Sequence, residues 1–227
     1  MFPAITRLRG FYAAYLPLGD VLGEMFYAVW MVVVSLGILG GTGFEGGELV
    51  HVVLIAFLVN MTWGLIDGLS AMYSGIIERA RSEKIIYSLQ KKGDAEARRE
   101  GDRVLLGGIT SVLDSSDREK VLDMIASARP IEGDPCSKRY VPNRIDRRYA
   151  MGILGIDVLL VLPLVAPFLI FQDQHLALYV SRLIATTFFA ILGAAYAGQL
   201  NRRRWVASLF LATLCFSLFN LVFLFGW

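Results

Sequence analysis

The chain has little of the chemistry on which most soluble catalysts depend. Of its 227 residues, two are cysteine and two are histidine. Cys136 sits in a polar segment and Cys215 in an apolar one, which excludes a disulfide framework or a cysteine metal cluster and leaves both as free thiols. With only His51 and His175, no Ser-His-Asp arrangement can be assembled, and the chain is read as not an enzyme. No G-x-x-x-x-G-K-[ST] run and no kinase-like signature is present, so any energy the protein uses has to come from a gradient. The N-terminus, "MFPAITRLRGFYAAYLPLGD", lacks an apolar core followed by a small-residue cleavage site, and the first hydrophobic helix is expected to stay in the mature protein. The net charge of +2 is small, and no nucleic-acid partner is expected from it.

Apolar residues are abundant instead: 56% of the chain is hydrophobic and the mean hydropathy is +0.56. Soluble domains hold roughly 45–50% apolar residues even with glycine counted. An integral membrane protein follows. A helix needs about 20 mostly apolar residues to cross a bilayer, and five stretches qualify: 21–41, 49–77, 151–171, 176–199 and 205–227. The expected fold class is all-α with five transmembrane helices, in three parts: 1–77 with the N-terminal tail and helices 1–2, a polar segment 78–149, and 150–227 with helices 3–5.

Orientation follows from the basic residues. Arg7 and Arg9 precede the first span, 16 of the 22 Lys and Arg lie between Arg79 and Arg148, and Arg202, Arg203 and Arg204 precede the last span. The links "GTGFEGGE" and "QDQH" carry none. The N-terminus and residues 78–149 are expected in the cytoplasm and the C-terminus outside.

The polar segment reads as helical. The second span continues without a breaker to Gly93, a second helix fits 94–113, and a third fits 117–128, with Ser116 and Glu119 at capping-box spacing and Pro130 closing the run. In the third span Pro163 and Pro167 are expected to kink the helix.

The informative residues are acids placed where lipid would be. Asn60, Gly64, Asp67, Ala71, Ser74 and Glu78 fall on one stripe of the second span. Asp20 and Glu24 share a face of the first span, and Asp157 lies about two turns into the third. In the stated orientation Glu24, Asp67 and Asp157 belong to the same half of the bilayer and could converge. An ionised carboxylate in hydrocarbon costs roughly 2.5–3.5 kcal/mol on insertion scales, so it has to be protonated, paired or beside a cation. Arg182, near the outer end of the fourth span, is on the wrong side to pair with them and is expected to carry its charge to the headgroups. Carboxylates without a basic partner point to a cation or proton site, since oxygen ligands suit hard and borderline divalent ions.

The stretches "LGEMFYAVWMVVVS", "NMTWGLIDGLSAMYSGIIERAR" and "LPLVAPFLIFQDQHLALYVSRLIA" resemble bacterial members of the vacuolar iron transporter superfamily, with "WGLIDG" followed by "ERAR" the most specific element. The resemblance implies five helices around a cytoplasmic helical domain, a homodimer in the bacterial inner membrane, and a path for Fe2+ or Mn2+ lined by Asp20, Glu24, Asp67 and Met72, with Glu24 and Asp67 as metal ligands. Asp157 joins that set from the residue reading, with Asn60, Ser74 and Glu78 in support. Residues 78–149 depart from the superfamily in carrying more base than acid and no E-x-x-E ladder. The function expected is secondary transport of a divalent metal out of the cytoplasm, possible proton coupling included, with no permanently bound cofactor. The alternative is a non-transporting five-helix scaffold whose basic cytoplasmic helices bind a protein partner or anionic lipid.

Overall fold

The computed structural model describes residues 10–41, 49–92 and 95–225. Arg7, Arg9, the "GTGFEGGE" link and Gly93 lie outside the described residues. The chain is all-helical, 85% helix, with five helices long and apolar enough to cross a membrane. In order they are α1 (Leu18–Gly41), α2 (Leu49–Lys92), α3 (Ala95–Leu106), α4 (Ser115–Ser127), α5 (Arg144–Ile170), α6 (Gln174–Gln199) and α7 (Arg204–Phe225). At 1.5 Å per residue, the 44 residues of α2 extend roughly 66 Å, about twice the hydrocarbon thickness of a bilayer. Its polar C-terminal half is therefore long enough to stand clear of the lipid.

Two compact units divide the chain: residues 1–71 with 147–227, and residues 72–146. The first is a bundle with one apolar core, to which every long helix contributes. Val29, Val32, Val33 and Leu36 of α1, Ala56 of α2, Val161, Leu164 and Phe168 of α5, Ala185 and Phe189 of α6, and Phe219 of α7 are all buried in it. In lipid such packing, with interhelical hydrogen bonds, takes the place of the hydrophobic effect in joining helices. Ser181 Oγ donates to the Leu164 carbonyl at 2.7 Å, tying α6 to α5 between the two prolines, and Ser208 Oγ donates to the Ala190 carbonyl at 2.7 Å, tying α7 to α6. Arg182 packs its guanidinium over the rings of Phe216 at 3.8 Å and Phe219 at 5.2 Å. Aromatic faces on α7, rather than headgroups, receive its charge, because two rings one turn apart offer a cation–π surface within the bundle.

The residues before α1 also belong to this unit. Residues 10–15 form a helical turn; its Phe11 and the following Leu16 fill the space left by Gly152 of α5, with the Tyr12 hydroxyl against Gly155. Arg148 donates to the Tyr15 hydroxyl and stacks on its ring.

The second unit is a small helical subdomain around Leu89, Ala97 and Leu122. Here two boundaries differ from the sequence reading. The helix expected over 94–113 ends at Leu106, because Gly107 and Gly108 break it before a 3-10 turn at Ile109–Val112. The next helix starts at Ser115, two residues early, capped by Asp114, whose carboxylate accepts from the Asp117 amide at 2.8 Å. Asp114 and Asp117 stand three apart just as Ser116 and Glu119 do, and the earlier acid takes the cap. Ion pairs lace the surface: Arg98 with Asp123, Arg118 with Asp102, Arg81 with Glu100. The Arg81 guanidinium holds the Glu100 carboxyl below its ordinary range, so this pair supports folding above that range and loses its effect as pH falls through it. At the start of α5, Asp146 accepts both Arg79 nitrogens, at 2.5 and 2.7 Å, and exchanges reciprocal bonds with Asn143.

Among the described residues α6 and α7 pack extensively, and their contact depends on Gly193. A Cβ there would stand 2.7 Å from the Ala207 carbonyl carbon and 2.8 Å from the Ser208 amide nitrogen. Gly193→Leu is expected to force the two backbones apart and cost about 1–3 kcal/mol, the usual range for overpacking. A lowered unfolding midpoint in detergent, with Gly198→Ala as the mild comparison, is the measurement.

Candidate functional site

Asn60 begins the site. On α2 it is completely buried, and its Nδ2 donates at 3.0 Å to the main-chain carbonyl of Asp157 on α5. One turn further along α2, Gly64 presents bare backbone to the Asp157 side chain: a Cβ there would lie 2.9 Å from Asp157 Cβ and 3.1 Å from its Cγ, and would overlap Oδ2. One turn beyond, a Cβ on Gly68 would lie 2.8 Å from the Ala150 carbonyl oxygen. The two helices therefore approach closely along Asn60, Gly64 and Gly68, with the Ala150 main chain against Gly68 and the Asp157 side chain against Gly64. Small residues four apart are what permits so close an approach in a membrane.

This contact inserts the Asp157 carboxylate between helices with 2% of the residue exposed. Glu24, half-buried on α1, lies within electrostatic reach of Asp157, and Asp67, half-buried on α2, within reach of both. The three acids singled out by sequence are thus neighbours electrostatically. No ion pair reaches any of them among the described residues. Three acceptor oxygens are buried with no hydrogen-bond partner: Glu24 Oε2, Asn60 Oδ1 and Asp157 Oδ2, one from each of α1, α2 and α5. Among the described residues, no three His, Cys, Asp or Glu side chains are gathered closely enough to hold a metal ion as a set.

The other sequence candidates occupy different places. Asp20 is exposed, and its Oδ2 accepts from the Tyr149 hydroxyl of α5 at 2.5 Å. That bond joins α1 to α5 one turn before Glu24. Met72, Ser74 and Glu78 belong to the second compact unit, where Met72 is half-buried, Ser74 is exposed, and Glu78 is exposed and 3.9 Å from Arg81. Met25 packs with Leu16, Ile153 and Ile156, as a gap-filler rather than with the acids. His51 and His175 are exposed.

Two features of the site escaped the residue reading. Gly64 and Gly68 were legible as a G-x-x-x-G pair, the spacing that brings helix backbones together, although Gly64 had been counted only as a small member of the stripe. Tyr149 had no signal of its own, since an aromatic near the start of a span reads as an interfacial residue. Compared with family models, curated proteins and solved structures, the chain finds no match in any of the three.

Because Asp157 lies on Gly64, the two positions should be energetically coupled. Gly64→Ala is expected to destabilise the protein by about 1–3 kcal/mol. In an Asp157→Ala background, where the carboxylate is gone, the penalty should be clearly smaller. Additive penalties in a double-mutant cycle, read from thermal unfolding in detergent, would contradict the contact.

Proposed function

We propose that the protein is a secondary transporter of a divalent transition metal, Fe2+ or Mn2+, moving it out of the cytoplasm and drawing on the proton gradient. The observation that carries this reading is the trio of buried, unpartnered acceptor oxygens on α1, α2 and α5. Leaving a buried acceptor unsatisfied costs on the order of 1–3 kcal/mol, and more for a charged group. A group of acceptors with no donor is complementary to a cation or to protons.

The donor set narrows the choice. Carboxylate and amide oxygens suit Mg, Ca and Mn, whereas soft ions prefer thiolate and thioether. Asp157, Glu24 and the Asn60 amide would supply three protein oxygens, and a hard cation of this size ordinarily keeps several waters beside one or two carboxylates. Asp67, more exposed than Asp157, would receive the ion at the edge of the site. Fe2+ and Mn2+ come from the likeness of "WGLIDG…ERAR" to the vacuolar iron transporter superfamily, and within that pair the oxygen set favours Mn2+. The direction, out of the cytoplasm, rests on the same likeness, and the basic residues flanking the spans set only which face of the chain is inside. When the ion leaves, protons on the same carboxylates would relieve their mutual repulsion, so one site would serve both ions in turn. The homodimer is part of this proposal and rests on the same likeness.

The test is ion flux into sealed proteoliposomes, with Mn2+, Fe2+, Zn2+ and Co2+ compared side by side under an imposed pH gradient. Wild type is expected to carry Mn2+ best. Asp157→Asn should reduce flux by at least about tenfold, the equivalent of 1.4 kcal/mol in transition-state stabilisation, while eluting as wild type from a sizing column. Asp67→Asn should also lose flux. Normal flux in both variants would reject the site, and no flux of any of the four ions in wild type would reject transport.

A further inference from the structure

The second unit contains a pocket of its own. On α2, Lys84, Tyr87, Ser88 and Lys91 stand at i, i+3, i+4 and i+7 and so share one face. Pro135 and Cys136, from the segment linking α4 to α5, close over that face and leave a cavity of about 170 Å³. The segment is pinned to α2 on either side of the cavity. At one end the Gln90 amide donates toward the carbonyls of Ile125, Ala128 and Arg129 at 3.3–3.4 Å, and its oxygen accepts from the Ile131 amide at 3.1 Å. At the other end Glu83 accepts from Lys138 at 2.7 Å and from the Tyr140 hydroxyl at 3.0 Å. Between the pins, Asp134 turns the chain by accepting from the Cys136 amide at 3.0 Å.

The polar groups that line the cavity are mostly donors. Its lining residues include two lysines, a tyrosine and a serine, and no carboxylate is among them. Lys91 is held in place by the Tyr87 hydroxyl at 2.5 Å and lies over the Tyr87 ring at 4.5 Å. Asp134 is within electrostatic reach of Lys91 without lining the cavity. Lys84 has no ion pair among the described residues.

We infer that this cavity binds a phosphate group, free or on a lipid headgroup, between Lys84 and Lys91. Lysine is a point-charge phosphate ligand that needs no fixed fork geometry, and the Ser88 and Tyr87 hydroxyls would donate to the remaining oxygens. A cavity of this volume suits one phosphate with its first waters rather than a whole nucleotide, since drug-sized ligand sites run from about 300 Å³ upward.

Cys136 supplies the readout, being exposed in the pocket wall while Cys215 is buried. The full-length protein, in vesicles of phosphatidylcholine, is reacted with an uncharged maleimide, and labelling of each cysteine is followed by peptide mass spectrometry. Inorganic phosphate is added in one arm, with chloride at equal ionic strength as control. In the other arm phosphatidic acid replaces part of the lipid and no free phosphate is present. At ten times the dissociation constant only about one pocket in eleven is empty, so Cys136 labelling should slow about tenfold in whichever arm supplies the ligand. Lys84→Gln with Lys91→Gln should abolish that protection. Ser88→Ala, which keeps both charges, should weaken it while leaving the unprotected labelling rate unchanged. Absence of protection in both arms overturns the inference, as does protection that survives loss of both lysines.

Discussion

The close approach of α2 to α5 is the contact on which the placement of Asp157 depends. Packed helices ordinarily keep their axes about 8–10 Å apart because side chains stand between them. At Gly68 and Gly64 the Ala150 carbonyl and the Asp157 side chain occupy the space where Cβ atoms would be. A short acid on a helix flank cannot snorkel as a lysine or arginine does. With Gly64 against it and Asn60 bonded to its own carbonyl, Asp157 is fixed between helices. The Asn60 bond depends on the same approach, since an amide side chain reaches a main-chain carbonyl of another helix only when the two are close.

Polar satisfaction differs across the bundle in a way that separates structure from chemistry. The hydroxyls of Ser181, Ser208, Thr186 and Thr187 all donate to helix carbonyls, and they hold or decorate α6 and α7 without leaving an unmet group. Arg182 is the exception on that side, with a buried Nε that lacks a partner, and its charge is met by aromatic faces. The remaining unmet atoms are all acceptors, on α1, α2 and α5. A purely structural acid would be expected to find a donor, because native structures satisfy most of their buried polar groups. Among the described residues these three acceptors do not.

Much of the architecture was legible because a membrane imposes so strong a constraint on length and polarity. All five apolar stretches became helices, and the continuation of the second span into a polar helix followed from the absence of a breaker before Gly93. Boundaries inside the polar segment were less legible, because Gly107–Gly108 and the two overlapping capping spacings around Asp114 and Ser116 compete locally. At the site, periodicity placed Asn60, Gly64 and Asp67 on one stripe. It could not say how that stripe meets α5, because which helix faces a stripe is a tertiary fact. Asp67, central in the motif, proved more exposed than Asp157, which no motif marks. Asp20 looked equivalent to Glu24 from its spacing, yet one turn of helix away it is exposed and bonded to Tyr149.

The polar subdomain obeys the same logic with the sign reversed. Its core of Leu89, Ala97 and Leu122 is small, as expected for a unit of this size, and most of its ion pairs are too exposed to contribute much. What shapes it are Gln90 and Glu83, which clamp one segment to α2 at two points and so keep the wall of Pro135 and Cys136 over the lysine face. A lysine face without that wall would be an ordinary solvated surface, its charges free to wander. Lys84 and Lys91 are exposed, and the wall places two like charges beside one small cavity with Asp134 within electrostatic reach of Lys91. Among the described residues the bundle's unmet atoms are three acceptors and the Arg182 Nε, whereas the polar side chains of the lysine face are mostly donors.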